Sequence, residues 1–337
     1  MCRRREDVRV SEHDGIEPAP DKPASARRVI HVLAAVLVVV VLPVVLMDVL
    51  VGGFGAEAMF LGLVYGVGGA KLGGTRRMSY LAPLVGVAAG LGAVTAYDWS
   101  WVLVVALSGL VAGAGMRWGW FPPLLMVPAA ATFATPVSSG RDAVAYGVIA
   151  GIATLYGVVL ARRFKAPDTI EGQRASPAQA VLLAIVLGAA LAGSAAIGVA
   201  LGWTEPYWVP EPILVLAVYV ILGRRERIRQ KAAATALGAA AAVPVAIAAP
   251  PQWAIALIAS AAFVLALPEY KKSYTISYGL YTFGIVLALS SPGNVGTEAA
   301  HRGSEILIGI GILVAGLALL HPLATWLAKR YPEPVLA

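Results

Sequence analysis

The chain has 337 residues, 59% of them hydrophobic and 13% charged, and carries a formal net charge of +7; its mean hydropathy is +0.77. Soluble domains carry about 25% charged and about 45–50% apolar residues. Twenty-six basic and 19 acidic side chains cannot coat a chain this apolar, so a water-soluble fold is excluded and a multi-spanning membrane protein is expected.

Residues 1–28 form a polar tail in which Arg3, Arg4, Arg5, Arg27 and Arg28 are mixed with acids and prolines. Such a composition predicts disorder. The apolar run from Val29 to Val51 is too long for a cleaved signal segment and reads as a first membrane helix. Further apolar stretches fall near 54–70, 79–97, 99–116, 119–136 and 142–161, completing a first set of six. A polar linker, 162–179, follows. A second set is expected within 180–330, near 180–202, 206–223, 232–249, 252–268, 274–291 and 304–327. The expected fold class is therefore all-α integral membrane, with about twelve helices.

Charge placement supports that count. With the tail on the cytoplasmic side, all Lys and Arg except Arg141 and Arg302 fall in cytoplasmic segments. The positive-inside rule produces this asymmetry, and a missed helix would scramble it. Both termini are expected in the cytoplasm. Because the basic residues are spread along the chain, they suit anionic lipid better than nucleic acid, and no nucleic-acid partner is expected. A homo-oligomer is left open.

The halves share landmarks. In each, a basic turn (Lys71–Arg77; Arg224–Lys231) precedes a Gly/Ala-rich helix, then an outer turn with tryptophan (Trp99 and Trp101; Trp253). Each half closes on an outer arginine beside an acid, Arg141 with Asp142 and Arg302 with Glu305. Six helices per half make a parallel repeat, with a pseudo-two-fold axis along the membrane normal.

Ionisable residues within spans are the first functional candidates, since a charge at mid-bilayer is costly. Glu57 and Glu211 lie near the outer ends of the second and eighth stretches. Around Glu211 the segment Gly202–Pro212 gathers Trp203, Tyr207 and Trp208 with Pro206, Pro210 and Pro212. An interfacial aromatic belt accounts for Trp203 and Tyr207. It does not account for the prolines, which free backbone carbonyls that need protein or a water-filled cavity. Tyr207 and Trp208 offer flat faces for a substrate, and Glu211 a proton-carrying or substrate-facing carboxylate. Arg302 and Glu305, spaced to share a helix face, read either as a structural pair or as an anion site, and Arg141 is placed equivalently.

No enzyme constellation is present: the sequence contains neither GxSxG nor GxxxxGK[ST]. The run Gly66–Gly69 near Lys71 lacks a strand–loop–helix context and suits close helix packing. With one cysteine (Cys2) and four histidines without metal-ligand spacing, no metal or other cofactor is expected.

The second half carries a family resemblance. Tyr207-Trp208 enters a helix, Lys231-Ala-Ala-Ala-Thr235-Ala-Leu-Gly238 stands where the family has R-x-x-G-T-x-x-G, and Arg302-Gly-Ser-Glu305-Ile-Leu-Ile-Gly309 matches R-x-x-[DE]-x-x-x-G. Between them lies a Tyr- and Thr-containing stretch, Tyr274–Thr282. This pattern resembles the fusaric-acid-resistance/aromatic-acid-exporter (FUSC) family of bacterial inner-membrane proteins. Lys231 and Ala234 depart from its expected Arg and Gly. The resemblance implies a transporter that exports aromatic or other amphipathic organic acids. Arg302, Arg141, Trp208, Tyr207, Glu211 and Glu305 are the substrate-binding candidates; the alternatives are a passive organic-anion channel and a non-transporting scaffold.

Overall fold

The computed structural model describes residues 41–163, 174–203, 205–221, 225–248, 273–289, 304–312 and 314–316, with isolated positions at 254–266 and 318. Pro43–Ala337 is one compact unit. Its long helices are α1 (Leu42–Val51), α2 (Gly53–Gly73), α3 (Thr75–Thr95) and α4 (Trp99–Ala114), then α7 (Gly140–Arg163) and α8 (Pro177–Ala200). Two short pieces, α5 (Phe121–Leu124) and α6 (Met126–Thr132), lie between α4 and α7. The second half holds α9 (Glu211–Ile221), α10 (Arg225–Ala248) and α11 (Tyr274–Leu289), then α12 (Ser304–Gly316).

Five segments among the described residues are long and apolar enough to cross a membrane: α2, α3, α4 with its continuation to Trp118, α7 and α8. By length and composition they support a multi-pass membrane protein, at five of the expected positions. The remainder of the tail and of the expected first helix, residues 1–40, lies outside the described residues, as does most of the expected span near 252–268.

Local chemistry sets the ends of these helices. Asp98 caps α4, its carboxylate accepting from the Ser100 amide at 2.6 Å and the Trp101 amide at 3.2 Å. Ser176 and Gln179 form a reciprocal capping box at α8, with Pro177 pre-set at the first position. At the other end of α8, Gly202 (φ +63°) turns the chain and the Trp203 amide donates to Gly198 O at 3.2 Å. Only glycine adopts that φ freely.

Between apolar helices in lipid, association relies on close packing rather than on the hydrophobic effect. The glycines provide it. A Cβ on Gly66 of α2 would stand 2.1 Å from Thr154 O of α7, and one on Gly62 2.5 Å from Ala150 O. On α3, a Cβ on Gly86 would stand 2.6 Å from Gly147 O, and one on Gly90 2.8 Å from Ala143 O. Rising numbers meet rising numbers in the first pair of helices and falling numbers in the second, so α7 runs parallel to α2 and antiparallel to α3. This gathers Lys71, Arg76, Arg77, Arg162 and Arg163 at one end. Arg77 Nη1 donates to Gly119 O at 2.9 Å and the Ala175 amide to Met116 O at 3.1 Å, adding Arg117 and Arg174 to that end. Within α2–α8, Arg141 stands at the opposite end.

The stretch expected as a continuous span at 119–136 differs. It leaves the basic end beside Arg77 and reaches the far end, where the Val137 amide donates to Ala93 O at 3.2 Å. It crosses as α5 and α6, broken at Leu125, followed by non-helical residues. Pro128 removes the amide that would otherwise donate to Leu124 O, whereas Pro122 and Pro123 stand in the first turn of α5, where amides are unpaired in any case. The segment is almost wholly buried among its neighbours, the setting in which irregular backbone is tolerated at membrane depth.

Candidate functional site

The second half also contains an irregular helix entry. After the turn at Gly202, Pro206–Trp208 forms one 3-10 turn, and α9 starts only at Glu211. Pro210 and Pro212 suit a helix start, where amide donors are unpaired in any case. A carboxylate in this first turn faces the positive end of the helix dipole. α12 closes over this entry, because a Cβ on Gly309 would stand 2.1 Å from Val209 O and 3.1 Å from Pro212. Tyr207 and Trp208 therefore lie within the packed protein, Trp208 buried and Tyr207 half-buried, not in a belt facing lipid.

Glu211 is buried, and its partner is Lys231, whose side chain has no exposed surface. Lys231 Nζ donates to Glu211 Oε1 at 2.7 Å and to Oε2 at 3.0 Å. Its third donor goes to Tyr278 OH, and Tyr278 OH donates to Glu211 Oε1 at 2.9 Å. The ammonium lies 4.0 Å from the Tyr278 ring centroid. Three helices thus contribute one group each: α9 the acid, α10 the base, α11 the phenol. Bringing two such charges out of water costs several kcal/mol per ion, and the closed hydrogen-bond network offsets that cost.

Packing of α10 on α11 fixes this meeting. A Cβ on Gly238 would stand 2.5 Å from Gly279 O and 2.8 Å from Thr282 Cβ, so the backbones are nearly in contact. Tyr278 stacks on Tyr274 with centroids 5.5 Å apart and lies 5.9 Å from Tyr281. The sequence reading put Lys231 in a cytoplasmic turn and Glu211 at an outer end. Helix α10 instead begins at Arg225, so Lys231 lies in its second turn and reaches Glu211.

Tyr207 and Trp208 serve a different acid. Tyr207 OH donates to Glu205 Oε2 at 2.6 Å, and Trp208 Nε1 donates to the same oxygen at 2.9 Å. The Tyr207 ring lies 5.9 Å from Tyr97 and 5.7 Å from Phe133. These contacts join the far end of the first-half helices to the loop before α9. Arg141 is exposed and Asp142 half-buried; the Asp142 carboxylate accepts from the Ser139 hydroxyl at 2.7 Å, and the Asp142 amide donates back to Ser139 Oγ at 3.1 Å. Glu57 is exposed and Glu305, on α12, is buried. Arg302 lies outside the described residues.

Residues 191–316 match a family model described as fusaric acid resistance protein-like. This segment of the chain, rather more than a third of it, is thus similar to that family of membrane proteins. No curated protein and no solved structure matches the chain. The matched segment holds the whole Glu211–Lys231–Tyr278 cluster and the Glu205 cluster. Lys231, which sequence reading treated as a departure from the family's arginine, is the buried cation at the centre of the former. Tyr278 is not among the sequence candidates, although it lies in the Tyr274–Thr282 stretch; its spacing from Tyr274 and Tyr281, which places all three on one helix face, is the signal that points to it.

Proposed function

We propose that this chain is a bacterial inner-membrane secondary transporter that exports aromatic or other amphipathic organic acids, driven by the proton gradient. The observation that carries the reading is the buried Glu211–Lys231–Tyr278 cluster, set at an irregular helix entry inside the matched segment. Ionisable groups within membrane helices mark transport pathways, and interrupted helices are where transporters build their sites. Two six-helix repeats suit the packing: α2 meets α7 and α3 meets α6 in the first half, as α9 meets α12 and α10 meets α11 in the second. Gathering of the basic residues at one end of α2–α8 supports cytoplasmic termini.

Arg141 and Arg302 are assigned to the exit routes. A guanidinium stays charged and binds a carboxylate bidentately.

The test is flux from proteoliposomes holding the full-length protein. The reading expects efflux of an aromatic acid that rises with an imposed proton gradient and collapses when a protonophore dissipates it. Conductance indifferent to pH would instead make it a passive anion channel, and an absence of flux for a broad acid panel would make it a scaffold.

A further inference from the structure

Thr235 lies one helical turn beyond Lys231 on α10, and residues so spaced share a face. Its side chain has no exposed surface, and its Oγ1 has no hydrogen-bond partner. A buried hydroxyl left unpaired costs about 1–3 kcal/mol, and threonine in a helix usually avoids this by bonding the carbonyl four residues back. Thr154 of α7 does so, donating to Ala150 O at 2.7 Å. Thr235 does not, although it occupies the α10 face that carries Lys231 and Gly238 toward α11.

Lys231 has spent all three of its donors, two of them on a carboxylate belonging to the protein itself. That carboxylate comes from α9, a helix of 11 residues that starts at prolines. A cation satisfied by an internal acid, next to a hydroxyl that is satisfied by nothing, is the arrangement of a carboxylate site occupied by a stand-in. The Tyr274–Tyr278 stack beside the ammonium supplies flat apolar faces for a ring.

We propose that Lys231 and Thr235 form the carboxylate-binding half of a ligand site for aromatic monocarboxylates, and that Glu211 occupies this half when the site is empty. The ligand's carboxylate replaces that of Glu211 on the ammonium and accepts a further hydrogen bond from Thr235 Oγ1, while its ring packs against Tyr278. The inference rests on the exporter reading for its ligand class, but it makes its own demand: a free carboxylate is required, and Glu211 competes with it.

Benzoate is the probe, titrated calorimetrically into the full chain in lipid nanodiscs, with benzamide as the uncharged comparator. Benzoate binding is expected, with benzamide at least about tenfold weaker, because hydrogen bonds to a charged group contribute about 1.5–3 kcal/mol. Thr235→Val should weaken benzoate by about 2- to 10-fold, and Thr235→Ser should restore it. The valine variant removes an unpaired buried hydroxyl, so its folding is not at risk. Glu211→Gln should tighten benzoate binding and Lys231→Met should abolish it. Failure of the parent protein to bind benzoate, equal binding of benzamide, or unchanged affinity in Thr235→Val would each overturn the site. Benzoate binding that depends on Lys231 and Thr235, without efflux of any acid, would keep the site and remove the exporter reading. Efflux with unaltered binding in Thr235→Val would do the reverse.

Discussion

Lys231 Nζ and Glu211 Oε1 stand 2.7 Å apart, joining α10 to the first turn of α9 through a fully buried ammonium. Breaking such a pair from one side strands a charge at a cost of about 3–5 kcal/mol, whereas replacing both partners by apolar groups is often neutral. Lys231→Met and Glu211→Leu are each expected to lower the thermal unfolding temperature strongly, and the double variant to recover most of the loss. All three should lose transport. A double variant as unstable as the singles would show that the pair does not hold the helices together.

Gly66 and Gly68 lie two residues apart on α2 and predict opposite outcomes. A Cβ on Gly66 would meet Thr154 O at 2.1 Å and Gly157 Cα at 2.9 Å, both backbone atoms that cannot swing away. Gly66→Ala should destabilise by about 1–3 kcal/mol, as overpacking does. A Cβ on Gly68 would meet only Met126 Sδ, at 3.8 Å. Gly68→Ala should be neutral or stabilise by up to about 1 kcal/mol through the helix interior's preference for alanine. Unfolding of both variants in the same detergent settles the comparison.

Asp98 titrates at the far end of the bundle, outside the spans. The Ser100 hydroxyl bonded to its carboxylate, followed by the Trp101 and Ser100 amides, holds its pKa below the usual carboxylate value. A depressed carboxylate stabilises the folded cap fully above its unfolded pKa and loses that contribution as pH falls through the folded value. Protection of the Ser100 and Trp101 amides against exchange is therefore expected to fall on strong acidification. Asparagine caps without titrating, so Asp98→Asn should make that protection independent of pH.

Substitutions at Arg141 and Arg302 separate the proposed exit site from a scaffold. Arg302→Lys and Arg141→Lys keep the charge but lose the planar fork, and each should slow aromatic-acid efflux several-fold with the yield of inserted protein unchanged. Normal flux in Arg302→Lys, with only the double change Arg302→Ala and Glu305→Ala affecting yield, would make that pair structural.

Topology can be read by cysteine labelling after the native Cys2 is changed to serine. Ser138 precedes α7 at the end bearing Arg141, and Arg174 precedes α8 at the end bearing Arg77. Both are exposed. Ser138→Cys should react with an impermeant thiol reagent in intact cells, as should Asn294→Cys, while Arg174→Cys should react only after permeabilisation. The reverse pattern would discard the charge asymmetry as a guide to orientation.

Membrane class, the positions of five spans and the segregation of basic residues were legible along the chain, because hydropathy and charge are sums over local sequence and do not depend on what a residue touches. The family motif in the second half was legible for the same reason. The site was legible in part. The proline-rich entry to α9 marked Glu211, yet its partner was hidden, since helices that are apolar all round have no polar stripe to reveal which face turns inward. Lys231 looked like one more basic residue of a cytoplasmic turn until α10 proved to start at Arg225 and carried it into the bundle. Tyr207 and Trp208, grouped with Glu211 by proximity in sequence, were drawn instead to Glu205 by the fold-back of the loop onto Gly198, where a Cβ would stand 2.6 Å from Pro206. The interruption at Leu125 likewise traces to the amide that Pro128 lacks, tolerated because α5 and α6 are buried among their neighbours. Which charges meet depends on helix start, rotation and depth to within a few ångströms, and those are set by glycine-mediated backbone contacts between segments far apart in the chain.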